Sequence, residues 1–178
     1  MSEFPRAAPD FSKPIEALKA CHERIRRECD TLRKLLDHMK GNGCDSEART
    51  AAASIMRYFD TAARHHHADE EDDLLPRMMS AATMGRGSKL TRMIADIANE
   101  HRAMDREWTD LRAMLQEISA GEATPLDPLL VDRFVKLYHS HIAVEEASVY
   151  PLAEMLLSRD DLREIGASMA ERRGGPRC

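Results

Sequence analysis

His66-His67-Ala68-Asp69-Glu70-Glu71 runs on to Leu74-Leu75-Pro76, and His141-Ile142-Ala143-Val144-Glu145-Glu146 runs on to Val149-Tyr150-Pro151. The two phrases are versions of one another. Each places a histidine four residues before a glutamate in a segment that otherwise reads as helix. Positions i and i+4 of a helix share a face one turn apart. Each phrase therefore aims an imidazole nitrogen and a carboxylate oxygen the same way, as a pair of metal ligands. Two such pairs point to a two-metal centre.

The repeat extends outward. His22 opens a stretch that ends at Leu32, and His101 opens one that ends at Leu111. His22, Arg27, Glu28 and Leu32 match His101, Arg106, Glu107 and Leu111, with Ile25 opposite Met104 and Cys29 opposite Trp108. The chain reads as two helical hairpins, each with a lone histidine followed by a His-x3-Glu pair. The remaining histidines serve as a control. His65 aligns with Ser140, His67 with Ile142, His139 with Arg64 and His38 with Glu117. Lacking repeated partners, these four are expected at the surface or beside the ligands rather than among them. The candidate ligand set is His22, His66, Glu70, His101, His141 and Glu145.

Composition narrows the fold. Ala, Leu, Met, Arg and Glu are abundant while β-branched and aromatic strand formers are sparse, which favours helix. A chain of 178 residues suits one domain with a substantial core. The net charge of −5 and the lack of a Lys/Arg cluster argue against nucleic acid as a partner. No segment has the length of a membrane span, and the N-terminus lacks the apolar stretch of a signal peptide, so the expected location is the cytoplasm, with no membrane partner. Cys21, Cys29, Cys44 and Cys178 form no C-x2-C pair and are expected as free thiols.

Apolar spacing of three, four and seven predicts four long helices. The first starts at a cap on Ser12, with Pro14 in its first turn, and ends at Gly41-Asn42-Gly43. The second starts at Asp45 or Ser46 and is disturbed near its end by Pro76. Gly85-Arg86-Gly87 connects to a third helix over about Ser88 to Ser119, and a turn over Gly121 to Pro128 leads to the fourth. A short fifth helix begins at Ser158 and runs to about Arg172. The expected architecture is all-α: an N-terminal arm (1–11), an up-down-up-down four-helix bundle (12–157), a C-terminal helix (158–173) and a tail (174–178). Measured from their turns, the four repeated histidines differ in depth by about three residues, or about 4–5 Å. They can share one layer of the core.

Six polar groups in one buried layer are costly unless satisfied. Two cations change the balance, since mixed imidazole and carboxylate donors suit iron, manganese or zinc. Both glutamates can bridge the pair while each metal takes two histidines. The chain has neither the His-Glu-x-x-His of zinc proteases nor the Glu-x-x-His of ferritin-type bundles.

The residues His22, His66-x3-Glu70, His101 and His141-x3-Glu145 resemble the metal-binding signature of the hemerythrin-like, or HHE cation-binding, family, in its four-histidine, two-glutamate bacterial form. The phrases ending in Leu74-Leu75-Pro76 and Tyr150-Pro151 add to the likeness, which covers about residues 12–157. The resemblance implies a four-helix bundle around two non-haem iron ions bridged by two carboxylates and an oxo or hydroxo group, with manganese or zinc as substitutes. The chain departs from the oxygen carriers of the family: Asp105 stands where those have a second histidine on the third helix, and where they use a carboxylate at the position of Glu146, the internal repeat favours Glu145.

Some neighbours have two readings. Tyr138, a turn before His141, can offer its phenol to the metals or simply pack. Asp105 can be a further ligand or pair with Arg26. Glu71 and Glu146 can orient ligand histidines or lie in solvent. Cys29 and Trp108 are expected as pocket wall, with a redox role for Cys29 as the alternative, and Cys21 as inert. Three functions remain open. One is binding or sensing of O2, NO or peroxide. The second is redox detoxification or iron-centre repair with an external electron donor. The third is a bundle whose metals only stabilise the fold. Oligomeric state is not legible in the sequence.

Overall fold

The computed structural model describes residues 10–82 and 87–174; the connector at 83–86 and most of the expected N-terminal arm and tail, including Cys178, lie outside the described residues. Within them the chain is helical with no strand. Helix α1 spans Pro14–Asn42. The second rod comprises α2 (Ser46–Asp60), α3 (Ala62–Ala68), a π-helical turn at Asp69–Leu74 and α4 (Leu75–Ala81). The third is α5 (Gly87–Ala120). The fourth comprises α6 (Pro128–Val144), a second π turn at Glu145–Val149 and α7 (Tyr150–Leu156). The last, α8, spans Arg159–Arg172.

Local chemistry sets these boundaries. Ser12 is not the cap of α1. Lys13 holds that position without a side-chain cap, and the Ser12 N–H donates instead to Asp10 Oδ1. Asp45 caps α2 by accepting from the Ala48 N–H at 2.9 Å. Ser158 and Asp161 form a reciprocal capping box at α8. Gly43, at φ 68°, closes α1 in a conformation that disfavours a side chain. A break not expected from the sequence falls at Thr61, whose hydroxyl donates back to the Arg57 carbonyl.

Pro76 and Pro151 do not end their helices. A proline removes one amide donor and crowds the carbonyl four residues back. In both copies the preceding turn widens to π geometry, and the helix continues beyond it. Because the π turns begin at or just before Glu70 and Glu145, the distortion falls on the two carboxylates that the repeat singles out.

The rods bury two apolar clusters. One contains Ile25, Leu32, Ile55, Phe59, Met104, Trp108, Leu111 and Phe134. The other contains Leu18, Leu74, Met78, Ile97, Tyr150, Ile165 and Met169. Each large apolar side chain buried in this way contributes about 1.5–3 kcal/mol. Along the helices the two clusters are separated by a polar layer. In α1 the order is Leu18, His22, Ile25, and in α5 it is Ile97, His101, Met104. Helix α8 closes the second cluster through Ile165 and Met169. Gly166 permits this approach, since a Cβ there would stand 2.0 Å from the Phe11 carbonyl oxygen. No helix among the described residues is long and apolar enough to cross a membrane.

Candidate metal centre

His22, His66, Glu70, His101, His141 and Glu145 all lie in the polar layer, each at most 2% exposed. Their donor atoms fall into two groups: His22, His66, Glu70 and Glu145, and Glu70, His101, His141 and Glu145. Within each group all donors lie within 4.8 Å of one another. The glutamates belong to both. Glu145 directs Oε2 to His22 Nε2 and Oε1 to His141 Nε2, each at 3.1 Å. Glu70 Oε2 stands 3.7 Å from His66 Nε2 and 3.5 Å from His101 Nε2.

The outward nitrogens fix the inward ones. The Nδ1–H of His22 donates to Glu146 (2.9 Å), that of His101 to Glu71 (2.6 Å) and that of His141 to Glu100 (2.7 Å). A carboxylate accepts and does not donate, so each bond leaves an Nε2 lone pair pointing inward. Glu71 and Glu146 occupy matching places in the repeat, and each holds the lone histidine of the other half. Arg26 anchors Glu146 at 2.8 Å. The consequence is an electrostatic conflict. His101 Nε2 and His141 Nε2 face one another at 3.0 Å, an approach that requires a proton or another cation between them.

Burial and neighbours displace the titrations accordingly. Burial pushes His101 down to about 2 and His66 well below the usual imidazole range. For His141 burial acts downward too, but the Glu145 and Glu100 carboxylates outweigh it and raise its affinity for a proton. Glu70 is pushed well up, first by burial and then by the charge of Glu145. Glu145 lies well below its usual range because His141 and His22 overcome the effect of burial.

Several buried atoms have no hydrogen-bond partner among the described residues: both ring nitrogens of His66, Nε2 of His67, and Oε2 of Glu70 and of Glu145. A buried polar atom left unsatisfied costs about 1–3 kcal/mol. The carboxylate oxygens and one nitrogen of each neutral ring can offer an electron pair, and His66, Glu70 and Glu145 belong to the two groups. The donor set thus fits two divalent cations and would otherwise be an expensive core.

Tyr150 was not anticipated. Its hydroxyl donates to Glu70 Oε1 at 2.7 Å and lies 3.0 Å from His22 Nε2. Its repeat counterpart is apolar Leu75, so the duplication gave no signal; its place one turn beyond Glu145, before a proline, is the trace it leaves in the sequence. Glu100 escaped notice for a similar reason, because its counterpart is Cys21. Tyr138 packs against Phe59 and Phe134, with its ring 6.0 Å from His67. Asp105 is exposed and outside both groups, while Arg26 bonds Glu23 and Glu146. His38 bonds Asp45, His65 is half-buried and His139 is exposed. Cys29 is fully buried, and burial pushes its thiol up to about 12, which keeps it an apolar wall group. Trp108 joins the same wall and donates to Asp60 at 3.0 Å. Of the two places expected for His67, the structure gives the one beside the candidate ligands: it is buried against His101.

These features define a helical protein with paired His/Glu metal groups, and comparison with known sequences gives the class its name. The profile of the hemerythrin HHE cation-binding domain matches residues 13–153, and the chain belongs to that family. It is therefore a metal-binding protein, and its buried histidines and glutamates agree with the four-histidine, two-glutamate type. An uncharacterized protein of Haemophilus influenzae is 33% identical over 172 residues, covering 95% of each chain.

Proposed function

We propose that this protein holds two iron ions and uses them to capture a small oxidant: O2, NO or peroxide. His22 and His66 would hold one ion, His101 and His141 the other, and Glu70 and Glu145 both. The observation that carries this reading is the pair of inward lone pairs on His101 and His141, set 3.0 Å apart by carboxylates behind each ring. Iron would supply electrons to the bound oxidant; manganese or zinc would fit the donors but lack that capacity or exercise it differently. The protein's own part is to aim the imidazoles and to hold them in a buried layer between two apolar clusters.

The same reading includes an up-down-up-down bundle over residues 12–157. Helix α1 packs on α2 and α6, and α5 on the same two. Tyr58, late in α2, donates to the Cys21 carbonyl early in α1, and Cys44 lies against the Ile118 carbonyl near the end of α5. A cleft of about 430 Å³, lined by Arg64, His67, Glu71, His101, Asp105 and Thr109, leads from the surface to His101. It is a path for a small ligand. The cytoplasm remains the proposed location, and turnover would need an external electron donor.

Rapid mixing of anaerobic, iron-loaded protein with O2, NO and peroxide tests the reading. A reversible spectral change is expected for binding, and irreversible oxidation with loss of the oxidant for redox detoxification. A tightly held, colourless zinc form inert to all three would overturn it in favour of a structural role.

A further inference from the structure

We propose that Tyr150 is a positioning residue: it makes Glu70 meet both ions through one oxygen, Oε2, and so keeps a ligand position open on the ion of His22 and His66. The inference rests on the two-metal reading above.

The two shared carboxylates are presented differently. Glu145 turns one oxygen to each group, Oε2 to His22 and Oε1 to His141. Glu70 turns the same oxygen to both, with Oε2 at 3.7 Å from His66 Nε2 and 3.5 Å from His101 Nε2. Its other oxygen is taken, since Oε1 accepts the Tyr150 hydroxyl at 2.7 Å. Of the two, only Oε2 is left without a hydrogen-bond partner among the described residues.

The difference arises at one place in the repeat. In each π turn the amide five residues beyond the glutamate donates to the glutamate's carbonyl, Leu75 to Glu70 and Tyr150 to Glu145. Both side chains are buried. Leu75 is a hydrocarbon with nothing to offer a carboxylate, whereas Tyr150 carries a phenol that reaches across to Glu70. The phenol is held in place. Its ring is fully buried and lies along that of His22, with centroids 5.3 Å apart and planes within 15°. Its oxygen stands 3.0 Å from His22 Nε2, so it keeps Glu70 Oε1 on the His22 side of the layer. Freed from the phenol, Oε1 would have an electron pair to place beside that of Oε2 on the same ion. That would fill the position a small ligand needs.

The test compares wild type, Tyr150→Phe and Tyr150→Leu. The leucine variant puts the side chain of the other repeat at this place, and circular dichroism checks that each variant folds. Crystal structures of the Zn2+-loaded proteins show which Glu70 oxygens lie at bonding distance, about 2.0–2.2 Å. Wild type should hold two ions, with Oε2 bound to both and Oε1 bound to neither. In both variants Oε1 should join the ion of His22 and His66. Azide, titrated into the Co2+ form and followed in its visible band, should bind the variants about tenfold or more weakly than wild type. Oε1 or the phenol oxygen bonded to zinc in the wild type would overturn the assignment while leaving the two-metal reading intact. So would an unbound Oε1 or an unchanged azide affinity in both variants. Fewer than two ions in the wild type would overturn that reading itself.

Discussion

The two halves of the buried polar layer carry the same candidate ligand types but differ in support. In the His101–His141 half, both rings are backed by carboxylates, Glu71 and Glu100. In the His22–His66 half only His22 is backed, by Glu146, and neither nitrogen of His66 has a partner among the described residues. The cause lies at one repeated position. Where the second half has Glu100, the first has Cys21, a buried thiol that burial holds protonated. A carboxylate behind an imidazole fixes its tautomer and raises its basicity. The second half is thus built as the firmer site and the first as the more yielding one.

The π turns differ in the opposite sense. The turn carrying Glu70 is clamped by α8: Arg172 and Arg173 both pair with the fully buried Asp69, and Arg172 reaches Asp73 at 2.8 Å. At the corresponding places the turn carrying Glu145 has Val144 and Ser148, and Val144 is exposed. A firm carboxylate therefore serves a loosely held histidine, and the reverse. Symmetry in the ligands coexists with asymmetry in what holds them.

The sharpest way to break this comparison is to remove a group common to both halves. Glu145→Ala should reduce bound metal from two ions per chain toward none, measured by elemental analysis, since one oxygen serves each group. Retention of both ions would show that the carboxylate bridges nothing. Next in size, His141→Ala and His66→Ala should each abolish one ion and spare more of the other, whereas His65→Ala and His139→Ala should leave both. Equal losses across all four would dissolve the distinction between repeated and unrepeated histidines.

Glu100→Gln probes the firmer half directly. It should weaken one ion by about 10–100-fold and bring that half toward the other, read by competition with a chelator. Arg172→Ala tests the clamp. It leaves buried Asp69 with Arg173 but without its second arginine, and should lower the stability of the metal-free protein by about 1–3 kcal/mol in urea unfolding, without changing the ion count at saturating metal. The smallest effect is expected from Tyr150→Phe, about 0.5–1.5 kcal/mol for the lost hydroxyl contact to Glu70, with any change in metal affinity confined to the His22 half. Weakening of the His101 half alone would reverse the assignment of the phenol.

The ligand candidates were legible because a metal site leaves a pattern that survives duplication. Histidine and glutamate at i and i+4, recurring twice, are hard to produce by chance. Helical periodicity likewise marked α1, α5 and α8 to within a few residues, and the prolines marked where the ladder is disturbed. Periodicity did not show that both prolines would be absorbed by a widened turn, because that outcome depends on the neighbours that hold the helix together past the distortion. The break at Thr61 is of the same kind.

The unrepeated neighbours of the site were the ones the sequence left unplaced. Tyr150, Glu100 and His67 align with Leu75, Cys21 and Ile142, so a search for internal symmetry passed over the first two and set the third aside as a control. His67 also differs by one position from His66 on the same helix, and nothing in the local sequence shows that the ring of His101 covers it.

What the sequence determined by itself was the set of candidate donors and their placement on helical faces, because the repeat marks the residues and the fixed rise and turn of a helix sets their faces. The tertiary structure alone decided which carboxylate stands behind which imidazole, which nitrogens are left without a partner, and which π turn is braced by α8. Those contacts join residues far apart in the chain, such as His22 with Glu146 and Asp69 with Arg173. They are set by how the helices pack, and the period of a single helix carries no record of that.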